Sequence, residues 1–366
     1  MRSSYLLFVF ALSLATSGCP DCGEGGIQVS PSEAGAAAPD AASLDAARSD
    51  NGQADAGQLD AGQVDAAQAD AARADVAQDD AARPDAAQAD VARPDAATPG
   101  SHECDGWQTS HPEWIFCDDF ESTAPLVGDG RYFEYGDNDG DCAVVGGLGQ
   151  GGSRGLRAIF QQGEVGAGGV KLGFGRNPVG YMNKGIRSGE DFREIWYRHY
   201  LKMEQGWQGN PAKLSRATVF AVPDWGQAMI AHLWSDGQER LLLDPASCVN
   251  GSGDVMCSGY NDFDNLDWLG NLSGVTAIFS TALSDTWFCI EHHVRLNDPG
   301  QSNGVTEFWI DGGLEARRDG LDFVGTYSDY GINAVFLENY WNSGSVQEQE
   351  RYFDNFVVST EPIGCL

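Results

Sequence analysis

Apolar and polar residues alternate in short stretches over the last two-thirds of the chain, without the spacing of a long amphipathic helix. Ten stretches read as strands: WIFCDDFE (114–121), GLRAIF (155–160), EIWYRHYLKM (194–203), ATVFAV (217–222), AMIAHLW (228–234), RLLLD (240–244), TWFCIEHHVRL (286–296), VTEFWIDG (305–312), INAVFLENYW (332–341) and RYFDNFVVS (351–359). They are rich in β-branched and aromatic residues, and Gly, Asn and Asp break the chain between them. The pattern predicts an all-β fold over 102–366, an antiparallel β-sandwich of the jelly-roll kind.

The chain before about residue 99 is different. It has no Trp, and its only aromatics are Tyr5, Phe8 and Phe10. Without large apolar side chains it cannot build a core. Residues 1–18 read as a signal peptide, with Arg2 ahead of an apolar run from Tyr5 to Ala15 that is too short to span a membrane. Thr16-Ser17-Gly18-Cys19 resembles the lipobox of bacterial lipoproteins. That resemblance implies a lipidated Cys19, attachment to membrane through this anchor only, and a cell-surface or outer-membrane location. Within 19–101, Asp falls at every fifth position from Asp40 to Asp95. A period of five builds neither a helical nor a strand face, and evenly spaced acids repel one another. The segment is therefore expected to be a disordered, solvated stalk.

Net charge is −32, and from residue 99 onward 38 acids outnumber 17 bases by 21. Such a surface repels phosphate backbones, so no nucleic-acid partner is expected. Seven of the nine cysteines follow residue 99, which points to an oxidising compartment and disulfides. Cys248–Cys257 is the expected short loop, and Cys365 is expected to reach back to Cys104 or Cys117. The odd count leaves one thiol free or pairs it with Cys22.

Alternation assigns faces. Over 286–296, Phe288, Ile290, His292, Val294 and Leu296 share the core side, against Trp287, Glu291, His293 and Arg295. Over 194–203, Ile195, Tyr197, His199, Leu201 and Met203 oppose Trp196, Arg198, Tyr200 and Lys202. Ile230, His232 and Trp234 share a face, as do Glu307 and Trp309. Rings stack on the C–H faces of sugars, and charged groups bind hydroxyls or carboxylates. Trp196, Lys202, Arg216, Trp234, Arg240, Glu291, His293, Glu307 and Trp309 are thus the candidate substrate-binding residues of one glycan groove. The alternative is an ordinary solvated sheet face with charged cross-strand pairs.

The run WFCIEHHVRLNDPGQSNGVTEFWIDG (287–312), closed by YFDNFVVS (352–359), resembles the concanavalin-A-like lectin and glucanase jelly rolls. Within them it is most similar to the polysaccharide-lyase-like branch, which includes alginate and glucuronan lyases and non-catalytic relatives. The resemblance implies that FCDDFE and FDNFVV pair as first and last strands, and that a concave sheet carries the ligand. Lyases of this kind cleave by β-elimination, which needs a cation on the uronate carboxylate, a base and an acid. Lys213, Arg198, Arg216 and Arg240 are candidates for the cation, and His232, His199, Tyr200 and Tyr340 for proton transfer. AKLSR (212–216) resembles a Lys-Leu segment of these lyases, with Ser215-Arg216 where Pro-Gly is usual. Hydrolysis needs two suitably spaced carboxylates, and the Glu-x-Asp-x-x-Glu string of laminarinase-like relatives is absent. Structural calcium has two candidate sites: Asp137, Asp139 and Asp141 in DNDGD, and Asp119 or Glu121 with Asp354. The expected function is a surface-anchored lipoprotein whose jelly roll binds or cleaves a polysaccharide or cell-surface glycan. The alternative is a structural or adhesive lipoprotein with no sugar ligand.

Overall fold

The computed structural model describes residues 102–182 and 185–366, so the expectations for 1–18, for Cys19 and for the stalk to 101 lie outside the described residues. The strands are β1 (Trp114–Asp118), β2 (Glu134–Gly136), β3 (Cys142–Gly146), β4 (Arg154–Phe160), β5 (Gly166–Gly173), β6 (Glu194–Met203), β7 (Lys213–Phe220) and β8 (Gln227–Ser235). They continue as β9 (Leu241–Ser247), β10 (Asp267–Trp268), β11 (Leu272–Ser273), β12 (Trp287–Arg295), β13 (Gly304–Ile310), β14 (Gly313–Leu321), β15 (Ala334–Tyr340) and β16 (Gln349–Ser359). The first sheet runs β14-β13-β12-β6-β16-β4-β3, with β1 also on β16. The second runs β10-β9-β8-β7-β15-β5-β2, with β11 also on β9.

These sheets make an antiparallel β-sandwich, and each of the ten stretches lies on a strand. The first and last of them pair as expected, with Cys117 opposite Val357 and Asp118 opposite Phe356. Among the strands not anticipated, β5 (GAGGVKLG) is half glycine and β14 (GLEARRDGL) is heavily charged. Neither composition signals a strand.

The inward faces of β6 and β12 are those that alternation assigns. Ile195, Tyr197, Leu201, Phe288, Ile290 and Val294 are buried against Leu214, Ala217, Val219, Met229, Leu233 and Leu337 of the second sheet. A chain of polar side chains crosses this core between β6, β7, β12 and β13. Tyr197 Oη lies 3.0 Å from Ser215 Oγ and 2.7 Å from His292 Nδ1, and His292 Nε2 lies 2.7 Å from Thr306 Oγ1.

Among the described residues the disulfides are Cys248–Cys257, as expected, Cys104–Cys117 and Cys289–Cys365. Cys365 therefore does not join Cys104 or Cys117. The end of the chain lies along β12, where the N–H groups of Ile363 and Gly364 donate to Glu291 at 2.7 and 3.0 Å, and this brings Cys365 to Cys289. Among the described residues the free thiol is Cys142, and burial pushes its pKa up to about 12.

His199 is fully buried, and neither ring nitrogen has a hydrogen-bond partner. Its place in the core removes it from the proton-transfer candidates. Burial, with Arg351 and Arg198 nearby, lowers its pKa to about 3. In the unfolded chain the same imidazole titrates near 6.5. Between those values the unfolded state binds the extra proton, so this residue's contribution to stability falls as pH is lowered. His199→Leu is expected to be more stable than the parent by ~1–3 kcal/mol at neutral pH. The gap should widen by ~1.4 kcal/mol per pH unit as pH drops from about 6.5 towards 3. Chemical denaturation across that range measures it, and a gap that does not change with pH contradicts the burial described.

Candidate functional site

The candidate residues divide between the two outer faces of the sandwich, which corrects the single groove. Trp196, Arg198, Tyr200, Lys202, Glu291, His293, Glu307 and Trp309 lie on β6, β12 and β13 of the first sheet. Lys213, Arg216, His232, Trp234 and Tyr340 lie on β7, β8 and β15 of the second. Arg240 stands apart at the start of β9, where its Nε is 2.8 Å from Asp236 Oδ2.

On the first sheet, the chain's own segments occupy much of the outer face. Arg198 is 1% exposed, pairs with Glu103 and donates to the carbonyl oxygens of Gly364 and Asn355, each at 3.2 Å. Tyr200 Oη accepts from the N–H of Leu366 at 2.6 Å, and Glu291 holds Ile363 and Gly364. These three residues fasten the terminal segments to the sheet, so Arg198 and Tyr200 are not available to a substrate. Lys202 pairs with Asp285 at 3.3 Å. His293 sits between Glu194 (2.9 Å) and Glu307 (2.8 Å), with Trp196 stacked on it at 4.1 Å, and Glu307 also binds Arg317. Trp309 stands opposite Glu291 in the register.

The second sheet brings the remaining candidates together. One row across it is Tyr340–Lys213–Trp234. The next is Lys171–Phe336–Arg216–His232–Asp244. Adjacent strands are about 4.8 Å apart, so the rows form one compact patch. A β-bulge puts Lys213 on it. Lys213 pairs with Trp234 and Ser215 with Leu233, which leaves Leu214 as an extra residue in β7. Leu214 and Ser215 both turn into the core, and Lys213 turns outward with Arg216.

Lys213 Nζ lies over the rings of Tyr340, Trp234 and Phe263, at 4.3, 5.5 and 5.6 Å from their centroids. Beside it, His232 Nδ1 is 2.9 Å from the carbonyl oxygen of Asp244. A carbonyl only accepts, so Nδ1 carries the proton and Nε2 presents its lone pair. Nε2 has no hydrogen-bond partner. Burial, Arg216 and Lys213 push the His232 pKa well below its ordinary value and keep the ring neutral. Burial also raises the Asp244 carboxyl to about 6. Trp268, 41% exposed, stacks over His232 at 5.7 Å.

Part of this patch is roofed. Asn261 Oδ1 accepts from Arg216 Nη1 at 2.6 Å, Tyr260 lies over the Arg216 guanidinium, and Phe263 stacks on Trp268 at 6.3 Å. The Cys248–Cys257 disulfide anchors the start of this covering segment. Beneath it, Arg216 and Glu338 form a buried two-point ion pair at 2.8 and 2.5 Å. Burial alone would raise the Glu338 pKa, but Arg216, Lys213 and Lys171 hold it below its ordinary value. Arg216 is thereby structural; beside it Lys213 and His232 are buried as well, 8% and 1% exposed, between the half-buried Trp234 and Tyr340. Alternation along LENYW could have found Glu338 beside Tyr340. Tyr260, Asn261, Phe263 and Trp268 come from a loop region and a two-residue strand without periodicity.

Four of the carboxylates considered for calcium, those of Asp119, Glu121, Asp141 and Asp354, accept hydrogen bonds from the chain. Asp119 accepts from the N–H groups of Cys104 and Glu121, and Glu121 from that of Arg154. Asp354 accepts from Gln150 N–H at 2.7 Å and Ser153 Oγ at 3.1 Å, and burial raises its pKa to about 7. Asp137 and Asp141 flank the short 3-10 turn that contains Asp139, and Asp141 accepts from Gln161. Among the described residues, no group of three or more His, Cys, Asp or Glu side chains is placed to hold a metal ion.

No protein-family model matches the chain, and no curated protein matches it. Among solved structures, it is similar to an endo-β-1,4-glucuronan lyase from Trichoderma reesei, with 14% identity and a TM-score of 0.45 over 68% of this chain and 96% of that one. It is also similar to an alginate lyase from Aplysia kurodai (13% identity, TM-score 0.44, 68% of this chain and 99% of that one). An alginate lyase from a Chlorella virus matches at 13% identity and TM-score 0.43, over 62% of this chain and 91% of that one. At such values function has to be argued from the site itself.

Removing one partner of a buried ion pair leaves the other charge uncompensated. Glu338→Leu is expected to lower the unfolding free energy by ~3–5 kcal/mol, and adding Arg216→Met should restore most of the loss. Denaturant titration of the two variants checks this.

Proposed function

We propose that the domain binds a uronate-bearing polysaccharide on the outer face of the second sheet and cleaves it by β-elimination. The observation that supports this is the buried, unpaired Nε2 of neutral His232 beside the Lys213 ammonium, next to the rings of Trp234, Trp268 and Tyr340. In this reading Lys213 neutralises the sugar carboxylate, which acidifies the adjacent C–H. His232 Nε2 takes that proton, and Tyr340 protonates the departing glycosidic oxygen. The rings provide stacking surfaces for the pyranose faces. The overall negative charge disfavours a polyanion at long range, so the attraction has to come from Lys213 at close quarters. The proposal extends to location: a lipidated Cys19 holds the chain at the outer surface, and the acidic segment to 101 spaces the domain from it.

The covering of Arg216 by Tyr260 and Asn261 favours a second reading, a non-catalytic structural or adhesive domain. Incubation with a panel of alginate, glucuronan and neutral glycans separates the two. The first reading expects an unsaturated product, detected by its ultraviolet absorbance, with alginate or glucuronan alone. Lys213→Ala and His232→Gln are expected to reduce the rate by roughly a hundredfold or more. Lys202→Ala, on the opposite face, should leave it unchanged. Because the His232 pKa is depressed, activity should persist as pH falls through 6.5, where an ordinary imidazole becomes protonated. Neither product nor retention on any uronan rejects the proposal.

A further inference from the structure

The β7 bulge that turns Lys213 outward leaves a problem in the backbone. Pairing of β7 with β15 passes from Ser215–Leu337 directly to Lys213–Tyr340, so Leu214 faces both Glu338 and Asn339. Carbonyl groups at such a break lose regular ladder partners, and buried ones must be satisfied elsewhere. The partner comes from the opposite sheet. Arg351, on β16, is 0% exposed and points across the core. Its Nη2 donates to the carbonyl oxygen of Lys213 at 3.0 Å and to that of Glu338, and its Nε donates to Asn339 Oδ1. Asn339 is held in turn by donating to the carbonyl oxygen of Gly168 at 3.2 Å. The rings of Phe160 and Phe353 lie 5.4 Å from the guanidinium carbon.

We propose that Arg351 is the positioning residue for the outward-facing site. Its guanidinium caps the carbonyls that the bulge frees, and so fixes the backbone that presents Lys213, Glu338 and Tyr340. This rests on the reading of Lys213 as a ligand group, but the positioning itself can be tested without a sugar. A planar fork with several donors in fixed geometry fits two carbonyls and an amide oxygen at once, whereas an uncharged side chain satisfies fewer.

The chain has four lysines, Lys171, Lys184, Lys202 and Lys213. Isotopic labelling of lysine therefore gives few ε-methylene NMR signals, and Lys213→Arg identifies the one of interest. Ring currents from Tyr340, Trp234 and Phe263 should displace that signal from the position of a solvated lysine. Arg351→Gln and Asn339→Ala are expected to move it back towards that position, with the Lys202 signal unmoved. If Arg351→Gln does not fold, Asn339→Ala decides, because it removes only the side-chain anchor of the guanidinium. A Lys213 signal unchanged in a folded variant overturns the proposal.

With glucuronan as probe, each variant should also weaken binding by about tenfold. The same substitution in a Lys213→Ala background should cost nothing further, because a residue acting through Lys213 cannot be lost twice. Additive losses overturn the positioning role. If the parent protein binds no glucuronan or alginate while the NMR shift behaves as expected, the functional reading fails and the positioning role stands.

Discussion

Successive side chains of a strand leave on opposite faces, and a two-sheet sandwich makes one of those faces its core. Everything charged must then be turned outward or satisfied internally. This domain does both. Most strands keep the alternation and send their cations out, whereas β7 breaks it once, at Leu214. That extra residue has two linked effects: it brings Lys213 out beneath three rings, and it brings the buried cation Arg351 across the core to the carbonyls left behind. Without the bulge, Lys213 would share the inward face of Ser215.

The two outer faces consequently serve different purposes. On the first sheet, Arg198, Tyr200 and Glu291 bind the beginning and end of the domain, and two disulfides close over the same region. Their chemistry is used up in holding the fold together. On the second, Arg216 and Glu338 neutralise each other under a loop, and Lys213 and His232 sit beside that pair among the rings of Trp234, Trp268 and Tyr340. Identical residue types, an arginine or a glutamate beside an aromatic ring, therefore mean fastening on one face and electrostatic support on the other.

Much of this was legible beforehand where the strands are regular. The inward and outward sets of β6 and β12 follow directly from alternation, and the pairing of β1 with β16 was visible in the matching FCDDFE and FDNFVV runs. Three things were not. Periodicity assigns a face within a strand but not the sheet to which the strand belongs, so by itself it puts Trp196 and His232 in one groove. A bulge has no compositional mark in AKLSR, and carrying the alternation back from 217–222 would turn Lys213 inward. The partner of Cys365 depended on how the chain end lies along β12, through Glu291, which no spacing reveals.

The Cys104–Cys117 bond has a mechanical consequence. The chain joins the sandwich on the first sheet, where Glu103 meets Arg198, and the disulfide ties that junction covalently to β1. A pull delivered through residue 102 is transmitted to β1 and on to its neighbour β16. It bypasses the hydrogen bonds of β7, β8 and β15. A load entering there would thus fall first on the cross-linked β1 and not on the strands that carry Lys213.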